Sequence, residues 1–266
     1  MGPGSWRSWA CCFVLSSGGV TGLRHLLLTL RYRGTNYHGF QVQQNALSVA
    51  QVVQDAVEAV FGARLDVKGC SRTDAGVHAN SFALTLRTES GIPCDAVVRA
   101  MNVRLPEDIA VTGCREAAEE FHPRYSCTGK RYLYKIHNSP VRDPFLSGLA
   151  LHWKYPLDEG AMDAAAREFL GTHDFAAFCS AGGSVEDTVR TITAASVTRE
   201  GTLVTFSVTG SGFLYNMVRI MTGTLLEVSR GALSPSDIPR ILAGRDRAAA
   251  GPTAPPHGLY LDAVFY

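Results

Sequence analysis

Twice along this chain the hydrophobic pattern runs strand, helix, strand, strand, helix, strand, and that repeated order restricts the fold more than any other feature. In the first half, His25–Tyr32 is a continuous apolar run of buried-strand type. Ser48 then caps a helix whose apolar residues Val49, Val52, Val53, Ala56, Val57 and Val60 fall on one face of a 3.6-residue period, and Gly62 ends it. Valines are mediocre helix formers, so packing must hold this helix. Leu65–Gly69 and Ser81–Arg87 follow as strands, the latter alternating Phe82, Leu84 and Leu86. Asp95 starts a helix running through Arg104, and Ile109–Cys114 starts the next strand.

The second half repeats the order with one extra strand and one extra helix. Lys130–His137 and Leu149–Tyr155 are strands, and Asp158–Leu170 is a helix closed by Gly171. Val189–Thr198 and Leu203–Thr209 form a hairpin about Glu200-Gly201, Gly212–Val228 is a helix, Ser234-Pro235 caps another, and Leu259–Tyr266 is a last strand. The expected fold is α+β: two pseudo-repeated, ferredoxin-like (split βαβ) halves with mainly antiparallel sheets flanking a cleft. The halves share pattern and not identity. Glu120–Lys130 is the junction, giving residues 23–122 and 123–266 as the halves.

Composition narrows the function. The 266 residues are 46% hydrophobic and 18% charged, enough for a sizeable core. The net charge of +1 means that any nucleic-acid site must be a local basic patch. No apolar run approaches the roughly 20 residues that cross a bilayer. Seven scattered cysteines without CxxC spacing point to reduced thiols and away from a zinc site. Residues 1–22, rich in Gly, Ser and Trp and without an acidic residue, read as a disordered extension or as an organellar transit peptide.

One segment concentrates chemistry: Gly69-Cys70-Ser71-Arg72-Thr73-Asp74-Ala75-Gly76-Val77-His78-Ala79-Asn80, between two strands. Its small residues allow a ligand close to the backbone. Asp74 reads either as a turn-forming Asx residue or as a catalytic carboxylate held by neighbours such as Arg72 and Thr73. Arg219, set among Met217, Val218, Ile220 and Met221, is poorly placed for a solvated helix face. Tyr132 reads as a strand core residue or as a site residue.

Ser71 to Ala79 resembles the signature of the tRNA pseudouridine synthase A family, and further motifs follow in that family's order. They include Tyr37-His38-Gly39-Phe40-Gln41-Val42-Gln43, Asn102 to Asp108, Phe121-His122-Pro123-Arg124-Tyr125-Ser126, Arg131-Tyr132-Leu133-Tyr134, Gly171 to Phe175, Val189 to Ile192, Phe213 to Arg219, and Gly258 to Leu261. The likeness covers Leu23 to Tyr266. It is closest to bacterial members at Val185 to Arg190 and Ala250 to Gly258, which favours the cytoplasm over an organellar matrix. Pro123 and Tyr125 stand where Ala and Phe are commoner, and Arg33 where an acidic residue is usual.

The resemblance implies isomerisation of uridine to pseudouridine at positions 38, 39 and 40 of the tRNA anticodon stem-loop by a homodimer that needs no redox cofactor, metal, nucleotide or membrane. It assigns the catalytic carboxylate to Asp74, a neighbouring cation to Arg219, and stacking on the uracil to Tyr132. Arg72 would fill the space left by the everted base, and Gln41, Gln43, His78, His122 and Arg124 would contact substrate. A catalytically idle RNA-binding protein and an Asp-based N-glycosidase are the competing readings; the latter usually pairs two carboxylates.

Overall fold

In a computed structural model, which describes residues 22–182 and 186–266, the chain builds one mixed sheet with helices packed against it. The segment 1–22 lies outside the described residues except for Gly22, as does Val185. The first half contributes β1 (Arg24–Tyr32), α1 (Val49–Phe61), β2 (Val67–Gly69), β3 (His78–Thr88), α2 (Cys94–Arg104) and β4 (Ile109–Glu116). The second contributes β5 (Gly129–Asn138), β6 (Leu151–Trp153), α3 (Glu159–Arg167), β7 (Gly171–Asp174), β8 (Val189–Glu200), β9 (Leu203–Gly210), α4 (Met217–Ser229), α5 (Asp237–Gly244) and β10 (Leu259–Phe265).

Strand order is β4-β1-β3-β10-β5-β9-β8-β7, with β2 on β3 and β6 on β5. The expectation of separate sheets is corrected here: β10 runs between the halves and fuses them. It pairs parallel to β3 through Tyr260↔His78 and Leu261↔Ala79, and antiparallel to β5 through Leu259↔Tyr134 and Leu261↔Tyr132. Most other pairings are antiparallel, and the tight turn at Gly201 makes β8 and β9 a hairpin.

Register places the apolar residues on one face. Leu26, Leu28 and Leu30 of β1 lie opposite Leu86, Leu84 and Phe82 of β3. Tyr132, Tyr134 and Ile136 of β5 lie opposite Val208, Phe206 and Val204 of β9. All twelve side chains are buried, and α2, α3 and α4 pack against β4, β8 and β5. The expected caps of α1 are present: Ser48 Oγ accepts from the Gln51 N–H, and Gly62 takes φ +73°.

Helix α4 starts at Met217, five residues later than its apolar pattern suggests, because Asn216 adopts φ +60° and stops the helix from extending backwards. The residues released, Phe213 to Asn216, instead line a cavity. Helix α3 ends at Arg167, and its last turn tightens into i−3 hydrogen bonds before Gly171 opens β7.

Candidate active site

The loop carrying Asp74 is fixed at several points before any side chain is considered. Cys70 N–H donates to Ala83 O, Gly76 N–H to Tyr37 O, and Val77 N–H to Asp74 O, the last closing a tight turn. Thr73 Oγ1 shares a 2.8 Å hydrogen bond with the buried hydroxyl of Tyr32, and Thr73 O accepts from Phe40 N–H. Gly39, at φ +83°, lies so close that a Cβ there would overlap the Thr73 carbonyl. The buried Cys70 thiol is pushed up to about 12 by desolvation, so it stays a thiol.

Asp74 therefore projects into a cavity of about 380 Å³ from a fixed base. Strand β10 sets β3 and β5 on its two sides, which brings the Asp74 loop opposite Tyr132. Helix α4 brings Arg219, whose Nη1 stands 3.7 Å from Asp74 Oδ2. The guanidinium also donates from Nε to Ala254 O at 2.7 Å and from Nη1 to Asn216 Oδ1 at 2.6 Å. Tyr132 is buried, shares a 3.3 Å hydrogen bond with Ser71 Oγ, and meets the ring of Phe213 edge-on at 5.0 Å. Arg72, Arg124 and Lys130 supply positive charge to the same wall.

Burial raises the Asp74 carboxyl above its ordinary 3.8, and the Arg219 cation holds part of that rise down. The Asp74 carboxylate is thus weakly solvated, with the Arg219 cation as the group that favours its charge. Burial also pushes the Tyr132 phenol well above its ordinary range, so it is protonated and able to donate. Catalysis that needs the Asp74 carboxylate is expected to fall, as pH drops, through an apparent pKa above 3.8; a pH profile of kcat under single-turnover conditions checks this. A profile with no acid limb above the ordinary carboxylate range contradicts it.

The sequence-predicted residues divide cleanly. Asp74, Arg72, Tyr132 and Arg124 line the cavity, and Arg219 stands behind Asp74. Gln41 and Gln43 are exposed and off its wall; Gln43 donates to His38 O. His122 is half-buried and its Nδ1 accepts from the Arg124 and Tyr125 N–H groups, so it shapes the turn that carries Arg124.

His78 does not reach the cavity wall. It is fully buried at the start of β3, where Nδ1 accepts from Gly34 N–H at 2.9 Å and Nε2 donates to His257 O at 3.1 Å. Both ring nitrogens are occupied, and burial lowers its basicity. His78→Ala is expected to cost roughly 2–4 kcal/mol by leaving two buried groups unpaired and a cavity. Urea denaturation checks it, with KM for RNA unchanged where the variant is folded; a raised KM at unchanged stability would restore a substrate role.

Ser71, Phe213, Leu214 and Asn216 also line the cavity and were not singled out by sequence. Their signal was their place inside the motifs, which does not distinguish a wall residue from a core residue.

A half-buried carboxylate under a guanidinium, faced by a protonated phenol and rimmed by cations, defines an acid–base or nucleophilic site built for a polyanionic substrate. Residues 29–126 and 165–266 match the family described as tRNA pseudouridine synthase. The protein named tRNA pseudouridine synthase A of Ruminiclostridium cellulolyticum is 46% identical over 245 residues, covering 92% of this chain and 100% of that one. Those of Acetivibrio thermocellus and Pelobacter propionicus are 46% and 43% identical over 244 residues, with the same coverage. The chain belongs to the tRNA pseudouridine synthase family.

Proposed function

We propose that this chain isomerises uridine to pseudouridine at positions 38, 39 and 40 of the tRNA anticodon stem-loop, with Asp74 as the catalytic carboxylate. Family membership supports the reaction, and the observation that carries the assignment is the Asp74 carboxylate, pinned in the cavity 3.7 Å from the Arg219 cation. The reaction breaks the C1′–N1 bond, forms C1′–C5, releases the C5 hydrogen as a proton and leaves a proton on N1, so atoms and electrons balance without an external reactant. A stacked target base must be everted, at a cost of a few kcal/mol. Arg72, exposed at the cavity wall, occupies the vacated stack. Tyr132 and Phe213 give the uracil an aromatic wall, while Arg124 and Lys130 bind phosphates.

The halves 23–122 and 123–266 read as a duplicated ferredoxin-like unit. Supporting this, β4-β1-β3-β2 in the first and β10-β5-β9-β8 in the second follow one order. By family likeness the enzyme acts as a homodimer in the bacterial cytoplasm.

The test is incubation with tRNA tritiated at uracil C5. Tritium release at unchanged RNA mass supports the reading. Binding without release indicates an idle module, and free uracil an N-glycosidase.

A further inference from the structure

Among the described non-glycine residues, two have positive φ: Arg245 and Asn216, the latter at the start of α4 with φ +60°. An Asn before a helix is ordinarily explained by capping, yet this side chain makes no capping hydrogen bond to α4. The left-handed backbone alone would be met at lower cost by glycine. The amide is spent elsewhere. Its Oδ1 accepts from Arg219 Nη1 at 2.6 Å, and its Nδ2 donates to Ser180 Oγ at 3.0 Å. A cationic donor on one side fixes which end of the amide is oxygen.

The distances show what holds Arg219. Its contact to Asp74, at 3.7 Å, is longer than the about 2.7–2.9 Å of a direct charge-assisted bond. Its contacts to Asn216 Oδ1 and Ala254 O, at 2.6 and 2.7 Å, are short and neutral. The guanidinium is therefore set by two neutral oxygens, leaving the Asp74 carboxylate unengaged by a tight ion pair. Ser180, whose own N–H donates to Tyr215 O, braces the amide from the segment that also lines the cavity.

We propose that Asn216 is a positioning residue: its side chain holds the Arg219 guanidinium at a fixed stand-off from Asp74, and the isomerisation depends on that placement. The inference rests on the function proposed above. The ionisable groups facing this pair are Tyr132 and Tyr134 of β5, His257 before β10, Cys179 and Tyr215 on the cavity wall, and the wall cations Arg72, Arg124 and Lys130. None of them replaces the bond from Asn216. With the amide gone, the guanidinium stays anchored at Nε by Ala254 O, Nη1 is free to close on Asp74 as a direct ion pair, and Asp74 ionises at lower pH with its carboxylate tied up.

The test uses Asn216→Gly, which keeps the left-handed turn and removes the amide. Single-turnover tritium release from C5-labelled tRNA is followed across pH in the wild-type chain, Asn216→Gly, Arg219→Ala and the double variant. Expected are a rate lower by on the order of 10-fold, an acid limb moved to lower pH, and substrate affinity within about twofold, consistent with a positioning rather than a binding role. In the Arg219→Ala background the Asn216→Gly change should have no further effect. A wild-type rate and pH profile for Asn216→Gly, or an equal loss in both backgrounds, overturns the inference. Should Asn216→Gly not fold, Ser180→Ala is read the same way: a smaller loss with the same shift of the acid limb supports it, and an unmoved profile overturns it. An inactive wild-type chain instead refutes the underlying function.

Discussion

Asp74→Asn is expected to reduce tritium release by on the order of 10⁴-fold or more, about 5.5 kcal/mol of transition-state stabilisation, while tRNA still binds. Asn keeps the shape and loses the charge, so the loop that holds position 74 through backbone contacts stays in place. Stability should move the other way. Because the folded-state pKa of Asp74 is raised, the group favours the fold at pH below the unfolded value. That advantage is lost as pH rises through the folded value, and at neutral pH its ionisation opposes folding. Asp74→Asn removes the opposing charge, so Tm near pH 7 is expected to equal or exceed that of the wild type. A variant that loses activity together with several degrees of Tm would mean that Asp74 is a structural turn residue.

Gly39→Ala is expected to damage fold and catalysis together, although position 39 carries no functional group. At φ +83° any L side chain is strained by roughly 1–2 kcal/mol, and the new Cβ would overlap the Thr73 carbonyl, adding roughly 1–3 kcal/mol. The sum, about 2–5 kcal/mol, corresponds to a Tm lower by roughly 5–15 °C for a chain of this size. Thr73 is the residue before the carboxylate, so what strain the fold absorbs is passed to Asp74. A displacement near 1 Å costs on the order of 10² in rate. Thermal denaturation and kcat, measured on the same preparation, check both parts; wild-type values for both would show that the Phe40–Thr73 contact does not set the loop.

Much of this fold was legible because its signals are local. Ser48 and Gly62 bracket α1, the apolar run of β1 and the alternating Phe82, Leu84 and Leu86 of β3 fall on buried positions, and Gly201 marks the β8–β9 turn. What was not legible lies where tertiary contacts decide. The fusion into one sheet rests on a parallel ladder of two residue pairs between β10 and β3, too short to leave a periodicity. The start of α4 was misread because Phe213, Leu214, Met217 and Val218 continue an apolar helical spacing through a residue whose left-handed φ has no reliable sequence signal.

The site shows the same division. Asp74 was marked by its small-residue loop, and Arg219 by a charge set among apolar neighbours. That these two meet Tyr132 is a consequence of β10 passing between the halves, and it came to the sequence only through family likeness. His78, four residues from Asp74, shared the motif but not the cavity. It sits at the start of a strand whose sheet neighbours bury it against Tyr260.

The most direct test is nucleotide-resolution mapping of pseudouridine in tRNA from cells lacking this chain, complemented with the wild-type or the Asp74→Asn form. The account predicts uridine at positions 38, 39 and 40 in the deletion, pseudouridine restored by the wild type, and no restoration by Asp74→Asn. Pseudouridine persisting at those positions in the deletion, or restored by Asp74→Asn, would contradict it.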